Sequence, residues 1–391
     1  SSADKTALTN RTNAAVAYTA EVKSTTAGIL AYTAADTDTW DAGDNLAEAK
    51  TYLSGIDGTT TYTDAGITSS VNTIIANGVQ SDKKTFTLTT SADSFTGGSG
   101  ADTFNATTAG LLSNNDTLVG GSATDTLNAK VDSGSTVVFT STGIEKHKYE
   151  ISSPTSGTGI TINASSITGL TDLYLTGSGI ENLTVNNLGA IGTVHLNTIN
   201  GDAIIDYTVA SMAGTTDDLA FDLDSISSAA TIQLTKSATT TNTIETVSLD
   251  SGSQANTLAD LQTTGVGATK LEFSGTTDLT ITAALDSEIV TIDGSAATTG
   301  GLIVSLASTA ATTVTGGGGA DSFTLTNVVN TVTAGGGNDT VVGGTSNDVI
   351  TGGDGADSIT ASTGTDSISG GAGNDSVVMT TAQLTVLDTV A

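Results

Sequence analysis

The chain has no cysteine, one proline, one tryptophan and only 11 basic residues. Each scarcity excludes something. Without thiols there are no disulfides and no thiolate metal sites, which fits a secreted protein stabilised by bound ions instead. Aromatic residues make up 4% of the sequence, too little bulk for a large conventional core. No run of about 18 apolar residues occurs, so no transmembrane segment is expected. The bases are also one-sided: Lys270 is the last, and the 121 residues after it carry acids alone. Nucleic acid is excluded as a partner, because phosphate recognition draws on Lys and Arg, and Arg11 is the only arginine. With 41 acids the formal charge is −30, and self-repulsion on that scale opposes a compact state unless cations neutralise it.

What the sequence does have is glycine and aspartate in step. From Gly316 to Val377 a nine-residue unit recurs: paired glycines, a variable residue, Gly or Ser, another residue, Asp, a spacer and an apolar side chain. Asp339, Asp348, Asp357, Asp366 and Asp375 fall nine residues apart, Asp321 lies two periods before Asp339, and Asn330 fills the place between. Glycine lets the backbone turn through positive φ and approach an ion closely. Aspartate supplies a hard carboxylate oxygen and the tight turn exposes carbonyl oxygens, a donor set suited to Ca²⁺. The residues after each Asp, such as Ser358-Ile359, make a very short strand with one side chain inward.

If one nonapeptide makes half a coil, loops two units apart stack on the same side. Asp321, Asp339, Asp357 and Asp375 then line one edge, and Asn330, Asp348 and Asp366 the other, with ions shared between aspartates 18 residues apart. The glycines assigned to these metal sites are Gly316, Gly318, Gly335, Gly337, Gly343, Gly353, Gly355, Gly371 and Gly373. The loops ending at Asp321, Asp357 and Asp375 are the most regular; those ending at Asp348 and Asp366 are degenerate and are expected to bind weakly. A flexible Gly/Asp-rich linker is the competing account, disfavoured because every in-register acid is followed two places later by an apolar residue.

A smaller copy reads Gly97-Gly98-Ser99-Gly100-Ala101-Asp102 and, after an insertion, Gly120-Gly121-Ser122-Ala123-Thr124-Asp125. Asp93 and Asp116 each lie nine residues before those acids, so Asp93 is expected to pair with Asp116 and Asp102 with Asp125. Calcium is assigned to this cluster as well, with a metal-free stack of turns as the alternative.

Four sections follow from the pattern. Residues 1–80 are alanine-rich and read as helices: Lys5 to Lys23 with Leu8, Ala15, Tyr18 and Val22 near one face, then Leu46–Leu53 and Ile67–Ile75. Trp40, Tyr32 and Tyr52 are read as packing residues. Residues 85–130 hold the short glycine-aspartate cluster. Residues 131–312 are Thr-rich, with alternating segments at Ile144-Glu145, Leu173–Leu175, Ile180–Val185, Ile244–Leu249, Lys270–Phe273 and Glu288–Ile292 and no helical stretch between them. That argues for a parallel β-solenoid, mainly β, running into the nonapeptide roll of 313–391, with a β-sandwich as the alternative. The spacing before residue 312 is irregular and assigns no rungs. The chain opens on Ser1 without a charged-then-apolar leader and stops at Leu387-Asp388-Thr389-Val390-Ala391, so it is expected to be a piece of a longer protein.

The nonapeptides resemble those of RTX proteins, the calcium-binding, type I secreted family of Gram-negative bacteria. The layout of an Ala-rich helical section, Thr85–Thr90 running into Ala92–Gly98, a Thr-rich solenoid and further nonapeptides is similar to the surface-layer branch of that family. The resemblance implies export in the unfolded state, folding in millimolar calcium outside the cell, and a place at the cell surface. It also implies partners: further copies of the same chain in a lattice, and lipopolysaccharide or another surface glycan.

Enzymatic readings find little support in the sequence. There is no HExxH, and His147 and His195 lie far apart, against a zinc protease. There is no GxSxG. Lys146-His147-Lys148-Tyr149 reads as the solvent face of a strand, and Asp217-Asp218 as solvated turn residues. The expectation is therefore a non-enzymatic structural subunit of a calcium-dependent, self-assembling extracellular layer, with a surface adhesin or biofilm matrix protein as the alternative.

Overall fold

In a computed structural model of the chain, the described residues are 2–24, 52–56, 59, 63–76, 83–132, 134–152, 159–177, 182–189, 192–208, 212, 214, 217–236, 242–379 and 389–390. They belong to two units: residues 1–86 with 95–104 and 119–126, and residues 87–94 with 105–118 and 127–391.

The first unit holds helices α1 (Ser2–Ser24) and α2 (Asp64–Ala76). Tyr18 of α1 packs with Ile67 and Val71 of α2, flanked by Ala17, Val22 and Tyr52, and its hydroxyl meets Ser70 Oγ at 2.9 Å. The buried face includes Ala14 rather than Leu8, which is 68% exposed, so the expected face is rotated at its N-terminal end. Arg11 donates from Nε to the Ile56 carbonyl at 2.7 Å. Of the segment Leu46–Leu53 only Tyr52 and Leu53 are described, and both are helical. Trp40 and Tyr32 lie outside the described residues. Phe86 stacks on Phe95 and on Phe104, each at 4.9 Å between ring centres.

The second unit is mainly β and entirely parallel in its described strand pairings. One long sheet takes strands in chain order: Lys146–Ser152, Asp172–Gly177, Thr193–Asn197, Asp218–Asp224, Thr246–Ser251, Lys270–Gly275, Thr291–Asp293, Thr312–Thr315, Asn330–Gly336, Val349–Asp354 and Ser367–Ala372. A second face is built first by a sheet from Thr136–Val138 to Asp260–Gln262, then by one from Asn256–Leu258 to Ser376–Val378. This is the parallel β-solenoid the alternating segments call for. The strands begin later than those segments suggest, at Lys146, Thr246 and Thr291, because Ile144, Ile244 and Ile289 are buried just before them. Ile180 and Glu181 lie outside the described residues.

Register explains both the core and the irregular spacing. Leu219, Val247, Leu271, Ile292, Val314, Val332, Ile350 and Ile368 pair one above the next and are all buried, a single apolar ladder through eight coils. Some strands of the roll turn a single side chain inward, as Phe323, Val341 and Ile359 do, whereas upstream strands turn in two or three, as Leu219, Phe221 and Leu223 show, so a thin stack of aliphatic groups with a few buried phenylalanines fills the core. Coil length is uneven before the roll: Asp172 pairs with Lys146, Thr193 with Asp172 and Phe221 with Val194, steps of 26, 21 and 27 residues. From Thr313 to Ser367 every step is 18, as Thr331, Val349 and Ser367 show, and the final step, from Ser367 to Thr389, is 22.

Candidate metal centre

Two columns of acids line the roll. In the first, the N–H of Asp321 donates to Asp339 Oδ1 at 2.8 Å, that of Asp339 to Asp357 Oδ1 at 2.9 Å, and that of Asp357 to Asp375 Oδ1 at 3.1 Å. In the second, Asn330 donates to Asp348 Oδ1 and Asp348 to Asp366 Oδ1, both at 2.9 Å. Each of these steps spans 18 residues, and the backbone thus fixes one carboxylate oxygen of each acid.

The other oxygen is left to the loop. Asp321 Oδ2 accepts the Gly317 N–H at 2.8 Å, but Asp339 Oδ2 and Asp357 Oδ2 are buried with no hydrogen-bond partner. A buried carboxylate oxygen without a partner is costly. Burial accordingly pushes the Asp339 carboxyl up to about 7 and raises those of Asp321 and Asp348.

The glycines keep space open for further oxygens. A Cβ on Gly352 would fall against both Asp357 Oδ2 and the Gly370 carbonyl; one on Gly316 would meet Asp321 Oδ2 and the Ala334 carbonyl. Gly353, Gly355, Gly371 and Gly373 lie equally close to carbonyls of the preceding coil, as do Gly335 and Gly337, and Gly318 lies against the Thr298 carbonyl. At Gly355 the φ of 138° and the adjacent Gly337 carbonyl exclude any side chain on two separate grounds. Gly343, in a degenerate loop, is looser, with the Thr360 carbonyl 3.3 Å and Asp348 Oδ2 3.6 Å from a Cβ there.

The early cluster shows the same stacking with longer steps. Asp93 donates from its N–H to Asp116 Oδ1 at 2.8 Å and Asp102 to Asp125 Oδ1 at 2.7 Å, both across 23 residues. Here the second oxygens of Asp102, Asp116 and Asp93 are engaged by the loops themselves: Gly98 N–H reaches Asp102 Oδ2 at 2.7 Å, Ser113 N–H reaches Asp116 Oδ2 at 2.6 Å, and Thr89 N–H reaches Asp93 Oδ2 at 2.6 Å.

Among the described residues no three His, Asp or Glu side chains converge as a metal cluster. The oxygens gathered in the roll are instead backbone carbonyls with one or two carboxylates per level, a donor set that suits a hard, flexible-geometry cation such as Ca²⁺. Asp339 and Asp357, whose Oδ2 atoms are buried without a hydrogen-bond partner, are among the groups that could hold it.

Both histidines sit in settings that the sequence did not reveal. Lys146 and Lys148 face outward, whereas His147 and Tyr149 point into the solenoid. His147 is wholly buried between Ser141 Oγ at 3.1 Å and the Tyr149 hydroxyl at 3.2 Å, and burial lowers its pKa to about 3. His195 lies outside, stacked on Tyr174 at 4.0 Å, with Nδ1 2.8 Å from Asp222 and Nε2 3.2 Å from Asp172. Asp217 and Asp218 are tied into the coils, by Asp217 N–H to Glu245 Oε2 at 2.8 Å and Ser248 Oγ to Asp218 Oδ1 at 2.7 Å.

Segments 85–107, 112–131, 326–359, 333–368 and 351–378 match the family model described as RTX calcium-binding nonapeptide repeat (4 copies), together about a quarter of the chain. No curated protein and no solved structure matches. The chain thus carries calcium-binding RTX repeats in both the early cluster and the late roll, and Ca²⁺ is the ion of those repeats. The loop Gly316–Asp321 lies outside the matched segments but joins the same column through Asp339.

Proposed function

We propose that this chain is a structural subunit of an extracellular protein layer, in which Ca²⁺ bound between stacked loops drives folding and then self-assembly. The observation that carries this reading is the segregation of charge in the roll. Of its described acids, Asp321, Asp339, Asp348, Asp357, Asp366 and Asp375 sit in the loops along the edges and Asp354 closes the strand Val349–Asp354, while the outward positions along the middle of the two sheet faces carry no charge. One face presents Thr313, Thr331, Val349 and Ser367 beside Thr315, Thr333, Thr351 and Ser369. The other presents Ser322, Thr340, Ser358 and Ser376 beside Thr324, Val342, Thr360 and Val378. On a chain of net charge −30 these flat, uncharged faces are where copies can approach one another, once cations at the edges lower the repulsion.

The aspartates that hold the ion in this reading are Asp321, Asp339, Asp357 and Asp375 on one edge, Asp348 and Asp366 on the other, and Asp93, Asp102, Asp116 and Asp125 in the early cluster. Bound calcium joins successive coils, so its binding free energy becomes folding free energy. The test is negative-stain electron microscopy of the purified chain with and without millimolar calcium. Ordered sheets that appear with calcium and dissolve with chelator support the layer. A calcium-folded chain that stays monomeric points instead to an adhesin, in which the stiffened rod presents a binding surface for a glycan or protein.

A further inference from the structure

The aspartate position of the second column is taken at its start by Asn330, which is wholly buried. Its backbone behaves as the aspartates do, with its N–H on Asp348 Oδ1. The difference lies in the second side-chain atom. Where Asp339 and Asp357 hold an oxygen without a hydrogen-bond partner, Asn330 holds an amide nitrogen that donates to the Val328 carbonyl at 2.6 Å, the Thr326 carbonyl at 3.1 Å and Asp348 Oδ1 at 2.9 Å. Two amide hydrogens are shared among three acceptors. Those acceptors, carbonyls of its own loop and the carboxylate of the next coil, are the kind of oxygen set a hard cation takes. The amide oxygen is satisfied too, by the Thr312 hydroxyl. The opposite amide orientation would turn an oxygen toward three acceptors, so the network fixes which atom is nitrogen.

The other column has a counterpart. Asn256 pairs in register with Leu279, Leu279 with Leu302, and the Leu302 N–H donates to Asp321 Oδ1 at 2.6 Å, so Asn256 stands three coils before Asp321 in the same line. It too is buried, accepts the Ile226 N–H at 2.8 Å through Oδ1, and donates from Nδ2 to the Leu223 carbonyl, Ser251 Oγ and the Gln254 carbonyl at 3.0, 2.9 and 2.8 Å.

We propose that Asn330 fills, with its own amide, the place that a calcium ion takes in the aspartate loops. The coil that begins the second column then closes without metal and stays folded when calcium is withdrawn. It serves as the fixed end onto which the calcium-dependent coils add. This rests on the reading of the aspartate columns as calcium sites.

Equilibrium dialysis against calcium, on the full chain and on its Asn330→Asp variant, counts the ions directly. Asn330→Asp replaces the amide by a carboxylate oxygen facing the same acceptors, and it is expected to bind one calcium more than the unaltered chain. An unchanged count in a variant that folds in calcium overturns the inference, whereas an unaltered chain that binds no calcium overturns the underlying reading as well. Hydrogen exchange on the unaltered chain provides a second readout that does not depend on the variant folding. In chelator, amides of 326–333, around the Asn330 loop, are expected to stay protected at least tenfold more than those of the Asp357 and Asp375 loops. Equal loss of protection in both regions overturns the inference.

Discussion

A single carbon atom decides whether a loop of the roll can form. Gly336 and Gly337 are neighbours, yet a Cβ on Gly336 would meet nothing closer than Gly318 Cα at 3.8 Å, while one on Gly337 would strike the Gly319 carbonyl from a backbone at φ 113°. Gly336→Ala is therefore expected to leave stability within about 0.5 kcal/mol of the parent. Gly337→Ala is expected to cost roughly 1–3 kcal/mol and to weaken calcium binding, both read from thermal melts at fixed calcium. His147 gives the pH dependence at this scale. Its native pKa of about 3 lies below the ordinary 6.5, so the unfolded chain takes up a proton that the native state refuses. Its neutral form is fully compatible with the fold above pH 6.5, and stability is lost as pH falls from there toward 3, by about 1.4 kcal/mol per pH unit. His147→Asn should remove one proton from the uptake on unfolding in that window; an unchanged slope would place the effect elsewhere. The glycines were legible because a fixed period marks them. His147 was not, since Lys146-His147-Lys148-Tyr149 alternates equally well with either pair inward, and only the corner at Ile144 settles the phase.

Among elements, the columns are the units of coupling. Asp357 touches Asp339 and Asp375 through the backbone bonds of its own edge, while Asp348 and Asp366 bond to each other on the opposite edge. Asp357→Asn combined with Asp375→Asn is expected to show an interaction of about 0.5–3 kcal/mol in calcium affinity, by titration calorimetry. Asp357→Asn combined with Asp366→Asn should be additive within about 0.5 kcal/mol; equal coupling in both pairs would contradict the separation into columns. The half-coil geometry was readable from the nine-residue period alone, because 18-residue steps leave one solution for which loops stack. The upstream coils were not readable, since steps of 20 to 29 residues carry no period, as the pairing of Leu183 with Ala203 and of Ala203 with Ile232 shows. For the same reason nothing in the sequence brings His195 beside Asp172 and Asp222, which lie 23 and 27 residues away.

For the whole molecule, the balance is between charge and calcium. A chain of net charge −30, with no base after Lys270, has its last section held by short strands of two to seven residues and by loops with buried carboxylate oxygens that lack a hydrogen-bond partner, as at Asp339 and Asp357. Its fold class was legible in composition: few aromatics, abundant Thr, Val and Gly, and alternation without helices after residue 85 all fit a narrow solenoid. The division of labour within it was not, because the asparagines that close loops without metal look in sequence like degenerate aspartates. The most direct test is far-ultraviolet circular dichroism of the chelator-stripped chain during a calcium titration, with magnesium as the control. The account predicts a gain of β signal with a midpoint around 10⁻⁴–10⁻³ M calcium, reversed by chelator and not reproduced by magnesium. A spectrum unchanged from zero to ten-millimolar calcium (about ten times the upper end of that range) would contradict it.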